Sequence, residues 1–186
     1  MPLEPDAELE NEAFDGESFR GADLSGTRTR NCRFLACDFT NARLNGSEHA
    51  GGDFANSRFE NANLFGASFE DCRLLGVDFA AAVLTGVRLV RCDLSYALLR
   101  NHDLSGHDLR GTTLRETDLS ESDLTDADLR GADMTRAQLR NATLAGADLR
   151  EAILDGVDVA AARVAGARLD LAGAVRLARS LGAEIE

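Results

Sequence analysis

Between Asn101 and Leu154 one five-residue phrase recurs without a slip. Leu104, Leu109, Leu114, Leu119, Leu124, Leu129, Met134, Leu139, Leu144, Leu149 and Leu154 stand five apart. Neither an amphipathic helix, with its period of 3.6, nor a half-buried strand, with its period of 2, generates that spacing. A short fixed period marks a solenoid, in which units too small to bury an apolar face alone stack on their neighbours. Extended both ways, the register runs from Phe14 to Leu169 through 32 positions, of which 30 are Leu, Phe, Val or Met. Only Thr29 and His49 depart from it, and no insertion interrupts it.

Each unit divides in the same way. Two residues before the large apolar centre sits a small side chain, as at Ala22, Cys32, Cys37, Ala42, Ser57, Ala62, Ala67 and Cys72. Residues two apart in an extended chain share a side, so both point inward and the residue between them, usually Asp or Arg, faces solvent. Of the 17 glycines, 14 lie two residues after a centre, where a corner calls for positive φ. The unit is a short extended piece followed by a corner.

Charge narrows the function. All 20 basic residues are Arg, against 32 acidic ones, and the net charge is −12. A surface of that sign repels phosphate backbones and argues against direct nucleic-acid binding, while it attracts basic proteins. The acidic N-terminus lacks the basic-then-apolar order of a secretory signal, and no apolar run approaches the roughly 18 residues of a membrane span. The expectation is a cytoplasmic protein with no membrane partner. Four Cys in such a chain suit reduced thiols, and all four occupy the inward small slot. No nucleophile is paired with a base, no phosphate-binding Gly loop opens a helix, and a filled rod offers no concave pocket. An enzyme, a cofactor, a metal site and a small-molecule substrate are therefore not expected.

The units CDFTN, ANLFG, ADLRG, ADMTR and ATLAG resemble those of the pentapeptide-repeat family, whose pattern is a small residue, Asp or Asn, Leu or Phe, a polar residue and Gly. The resemblance covers residues 12–169. It implies an all-β solenoid, a right-handed quadrilateral β-helix of about eight coils with four units in each, so that residues twenty apart stack. At roughly 4.8 Å per coil the rod would be about 38 Å long. Residues 1–11 then form an acidic N-terminal segment, and 170–186 a C-terminal helix and tail. The unbroken register, the SEHAGGDF irregularity and the helical tail are similar to the mycobacterial MfpA-type members, fluoroquinolone-resistance relatives of the Qnr proteins. That similarity implies a homodimeric DNA mimic bound to the DNA-binding saddle of the DNA gyrase A subunit, modulating the enzyme and protecting it from fluoroquinolones or other gyrase poisons.

Stacking at twenty carries further expectations. Phe19, Phe39, Phe59 and Phe79 should form one aromatic column. Thr29 and His49, followed by Gly51 and Gly52, should mark a bulge or bend. His102 and His107 fill small slots as oversized corner residues. Asp170 should cap a helix from Leu171 to about Leu181, with Gly182 as its stop. The apolar stripe of that helix, Leu171, Ala174, Val175, Ala178 and Leu181, is expected to cover the last coil and to form the dimer interface.

Outward charges alternate at twenty-residue steps in the first half: Arg33, Asp53, Arg73 and Asp93 on one side, Asp38, Arg58 and Asp78 on the next. Such pairs stabilise neighbouring strands. Later the alternation fails. Asp103 stacks on Asp123, and Asp108, Asp128 and Asp148 form a column. From Asn101 to Thr135 nine acidic residues (Asp103, Asp108, Glu116, Asp118, Glu121, Asp123, Asp126, Asp128 and Asp133) face three Arg. These nine and Asp148 are the expected partner-binding band. The alternative is a structural or scaffolding protein that holds a different basic partner, since the fold implies no role by itself.

Overall fold

The computed structural model describes residues 3–185. Five parallel strands, β1 (Glu8–Glu10), β2 (Arg28–Arg30), β3 (Glu48–Ala50), β4 (Ser68–Glu70) and β5 (Arg88–Val90), stack in sequence order with a register of twenty. On the other three sides of the square, single bridges keep the same step, among them Asp23↔Arg43, Arg33↔Asp53 and Asp38↔Arg58. The fold is the four-sided parallel β-solenoid that the repeat implied, followed by a helix, α1 (Leu171–Ser180).

Two differences from expectation concern extent. Pairing begins at Glu8, inside the stretch 1–11 read as a segment preceding the solenoid. Regular strands span four steps of the stack rather than the eight coils expected, and beyond Val90 single bridges continue to Asp148↔Arg168. The reason lies in the corners. Most corners close with a turn hydrogen bond, such as Ala22 N–H to Phe19 O at 3.0 Å, which ends the extended run early. The corners after β1–β5 stay open, and pairing there extends over three residues instead of one. On that side the turn first closes at Thr112, whose N–H and Oγ1 both donate to Leu109 O, at 3.2 and 2.7 Å.

Backbone bonds between coils carry the stack: Phe34 N–H donates to Asp53 O at 2.7 Å, and Arg33 N–H to Glu12 O at 2.8 Å. Glycines two residues after a centre, Gly16 to Gly166, all have positive φ, and where Gly is absent Asn takes the corner most often, as at Asn41, Asn61 and Asn101. Gly52 answers a different demand. It sits in an inward slot where a Cβ would come 2.8 Å from the Phe54 ring.

Phe19, Phe39, Phe59 and Phe79 stack at centroid distances of 5.0, 4.6 and 5.4 Å, and Phe14, Phe34 and Phe54 form a second column. Leu104 to Leu149 continue the core, fully buried. The buried thiols of Cys32, Cys37, Cys72 and Cys92 donate to backbone carbonyls, and burial pushes Cys72 up to about 11 and Cys92 up to about 12. His102 donates from Nε2 to Phe79 O at 2.9 Å.

The expected bulge at Thr29 and His49 is absent. Both lie in regular register in β2 and β3, because their polar atoms satisfy one another inside the core. Thr29 Oγ1 bonds His49 Nδ1 at 2.8 Å, Ser47 Oγ bonds His49 Nε2 at 3.0 Å, and the imidazole stacks on Phe69 at 4.8 Å as another ring of the column. Burial pushes His49 down to about 3. Between its ordinary 6.5 and that value the unfolded chain binds a proton that the folded chain excludes, so stability falls as pH drops through this window. The pair Thr29→Val with His49→Phe removes the titrating group together with one of its two hydroxyl partners. Thermal melts should show wild-type Tm declining across the window and the double variant declining less, with His102, which burial also pushes down, supplying the remainder.

Candidate functional site

The expected acidic band divides when its side chains are traced. Asp108, Asp128 and Asp148 do stack, through Asp108↔Asp128 and Asp128↔Asp148, but they are not an uncompensated column. In extended chain the residue two further on shares the outward side, and here it is Arg each time. Arg110 grips Asp108, Arg130 grips Asp128 and Arg150 grips Asp148, each with Nε at 2.8 Å and a terminal nitrogen at 2.6 Å. Arg110 reaches on to Asp128 at 3.6 Å and Arg130 to Asp148 at 3.9 Å, which knits the coils into one ladder. The guanidinium beside each carboxylate holds Asp108, Asp128 and Asp148 below the ordinary range, Asp148 at about 2.

Three more of the expected residues are compensated. Glu121 pairs with Arg100, Asp133 with Arg115 at 3.0 Å, and Glu116 with Arg136 at 3.6 Å. Counting charge between residues 101 and 135 missed Arg100 and Arg136, which lie outside that window but twenty or so residues from their partners.

Four carboxylates remain without an ion pair among the described residues: Asp103, Asp118, Asp123 and Asp126. Asp103 and Asp123 stack directly on one side, Asp118 lies on the preceding side between Leu98 and Gln138, and Asp126 occupies the corner that follows Asp123. Each of the first three is clamped by the residue two on. Asp103 Oδ1 accepts from Ser105 N–H at 3.0 Å and Ser105 Oγ at 2.6 Å. Asp123 Oδ1 accepts from Thr125 N–H at 2.9 Å and its hydroxyl at 2.5 Å, and Asp118 Oδ1 from Ser120 N–H at 2.9 Å. The Ser105 bonds hold Asp103 below the usual carboxylate range even with Asp123 above it. One oxygen of each is thereby fixed and the other turned to solvent, giving oriented anions on a rigid surface. Such an array can accept charge-assisted hydrogen bonds from Arg or Lys.

At the far end, Asp170 caps α1. Its Oδ1 accepts from Gly173 N–H at 2.8 Å and its Oδ2 from Glu151 N–H at 2.9 Å, which locks the helix onto the previous coil. The helix ends at Ser180, with Gly182 at positive φ beyond it. The expected stripe does not cover the last coil. Gly173 is buried there, where a Cβ would meet Leu169 at 3.0 Å, and Leu177 packs on the core. Leu171 and Ala174 are left exposed, Leu181 is 69% exposed, and Val175 and Ala178 are half-buried. The helix plugs with one face and presents another.

No helix among the described residues is long and apolar enough to cross a membrane. A family model described as pentapeptide repeats matches residues 18–48, 50–79, 62–101, 92–131 and 132–170. No sequence among curated proteins matches the chain. Among solved structures, a trypsin-treated variant of QnrB1, a plasmid-mediated fluoroquinolone resistance protein, is similar with a TM-score of 0.86 at 26% identity, covering 98% of this chain and 91% of that one. A second QnrB1 variant gives 0.87 at 25% identity over the same shares. HetL, a pentapeptide repeat protein involved in heterocyst differentiation regulation in the cyanobacterium Nostoc sp. strain PCC 7120, gives 0.61 at 26% identity, covering 91% and 89%.

The split between ladder and strip is testable by stability alone. Asp128→Asn should lower Tm, because it breaks the grip of Arg130. Asp123→Asn keeps an oxygen acceptor for Thr125 and removes a charge beside Asp103, so Tm should stay level or rise by about 1–2 °C at low salt.

Proposed function

Since this chain belongs to the pentapeptide-repeat family, we propose that it is a Qnr-like DNA mimic that binds DNA gyrase, modulates it and protects it from fluoroquinolones or other gyrase poisons. The observation that carries the reading is the strip of Asp103, Asp118, Asp123 and Asp126, four carboxylates without an ion pair, the first three of them oriented by the residue two on, on a solenoid similar to QnrB1 throughout its length. Elsewhere on the same rod, Arg from a neighbouring coil pairs with Asp23, Asp38, Asp53 and Asp71, so compensation was chemically available.

The mechanism asks for no catalysis. Duplex DNA carries about one negative charge per 1.7 Å of axis, and a channel that binds it is lined with Arg and Lys. A straight rod of net charge −12 enters such a channel by sign and shape, although its charge density is lower than that of DNA. Fixed carboxylates lose little conformational freedom on binding, and long-range attraction speeds encounter. Occupation of the DNA-binding saddle of the A subunit then competes with the DNA on which the poison acts. The stripe of exposed Leu171, Ala174 and Leu181 with half-buried Val175 and Ala178 pairs two copies end to end, doubling the rod. The fold shared with HetL keeps a second reading in play, a regulator that holds another basic protein.

Gyrase supercoiling and fluoroquinolone-induced cleavage, each measured with added protein over a salt series, test this. Wild type should alter both, less so as salt rises. The variant carrying Asp103→Asn, Asp118→Asn, Asp123→Asn and Asp126→Asn should lose most of the effect while staying folded. No effect of the wild type at any salt would remove gyrase as the partner. For the dimer, Leu181→Asp should give a monomer in sedimentation with Tm little changed, because Gly173 and Leu177 still hold the helix to its coil.

A further inference from the structure

Apolar side chains seldom face outward on this rod, yet two do so side by side on the coil where the charge pattern changes. Tyr96 is 54% exposed and Leu98 is 46% exposed, and with Ala97 buried between them both project to solvent. Leu98 sits in a column of outward residues that runs Asp38, Arg58, Asp78, Leu98, Asp118. The alternation reserves this place for a cation. Leucine there offers no cation to the carboxylates on both sides, Asp78 and Asp118, and neither makes an ion pair among the described residues.

Tyr96 departs from its own column as well. It takes a corner with φ at +61°, where the neighbouring coils carry Asn56, Gly76 and Glu116. A residue with a Cβ and a bulky ring is disfavoured in that left-handed conformation, and Asn or Gly is not. The ring gains no burial in return. Its hydroxyl reaches only Glu116 Oε1, at 3.4 Å. Two local rules are broken on one coil, both in favour of exposed apolar surface beside the unpaired strip. A tyrosine-centred apolar contact rimmed by charge is the anatomy of an interface anchor.

We infer that Tyr96 and Leu98 form the apolar anchor of the partner-binding surface, seated in an apolar pocket ringed by Arg or Lys, with Asp118 and Glu116 meeting that ring. The inference rests on the gyrase reading for the identity of the partner and adds the part of the contact that salt does not screen. The strip steers approach and sets salt dependence, and the anchor sets the residual affinity at high salt.

The test uses Leu98→Arg and Tyr96→Asn in the full chain, with binding to purified gyrase A subunit measured at low and high salt. Leu98→Arg restores the alternating ladder and Tyr96→Asn supplies a residue suited to the corner. Both variants should therefore melt at or above the wild-type temperature, which a purely structural role would make the whole story. Each should nevertheless weaken binding at least tenfold at high salt, and the four-Asn strip variant should instead lose the salt-dependent part. Wild-type affinity in both variants, with the strip variant impaired, overturns the anchor and leaves the gyrase reading standing. Absence of binding by the wild type overturns both.

Discussion

The hydrogen bonds that join one coil to the next, such as Phe34 N–H to Asp53 O, set the terms for every other feature of this molecule. They hold each residue over the one twenty earlier, so the chain becomes a set of vertical columns. An inward column must fill space continuously, and Phe19 to Phe79 do so ring on ring. An outward column has no such constraint except that charges meet at about 4.8 Å, close enough for sign to matter even in water. Fold and surface chemistry are thus two readings of one register. A single coil has neither, because almost nothing in it is buried until another lies on top.

The surface uses that register in two ways. Where Arg follows Asp by two residues, and at stacked pairs such as Arg43 with Asp23 and Arg73 with Asp53, the charges neutralise one another and tie coil to coil. Where Ser or Thr follows and no Arg stands within reach, as after Asp103 and Asp123, the carboxylate is still held by one oxygen but its charge stays unpaired. The same geometry accommodates both the ladder and the unpaired strip proposed to meet a basic partner. Leu98, standing where the alternation calls for a base, marks the boundary between the two regimes.

Much of this was legible in the amino-acid order. The five-residue period, the Gly corners and the Asp170 cap follow from spacing and side-chain chemistry, the Phe column follows once the family resemblance supplies four units per coil, and the coordinates agree. The charge band was only half legible. The runs Asp108-Leu109-Arg110, Asp128-Leu129-Arg130 and Asp148-Leu149-Arg150 are visible in the sequence, and residues two apart share a side, but summing charge over a window hides pairing. Thr29 and His49 looked like an interruption because neither is apolar. Their mutual hydrogen bond with Ser47 depends on three side chains meeting in space, which spacing alone does not report. The face of α1 that docks was also hidden, since Gly173 succeeds there by what it lacks. Strand length depended on which corners close, a matter of one hydrogen bond each.

Coupling between Asp103 and Asp123 tests the central claim most directly, because nothing but the register of twenty brings them together. A double-mutant cycle with Asp103→Asn and Asp123→Asn, followed by denaturant unfolding, measures it. The register predicts an unfavourable interaction of a few tenths to about 1 kcal/mol at low ionic strength, fading as salt is added. A coupling of zero at low salt, or one of favourable sign, would contradict the stacked columns and the strip built on them.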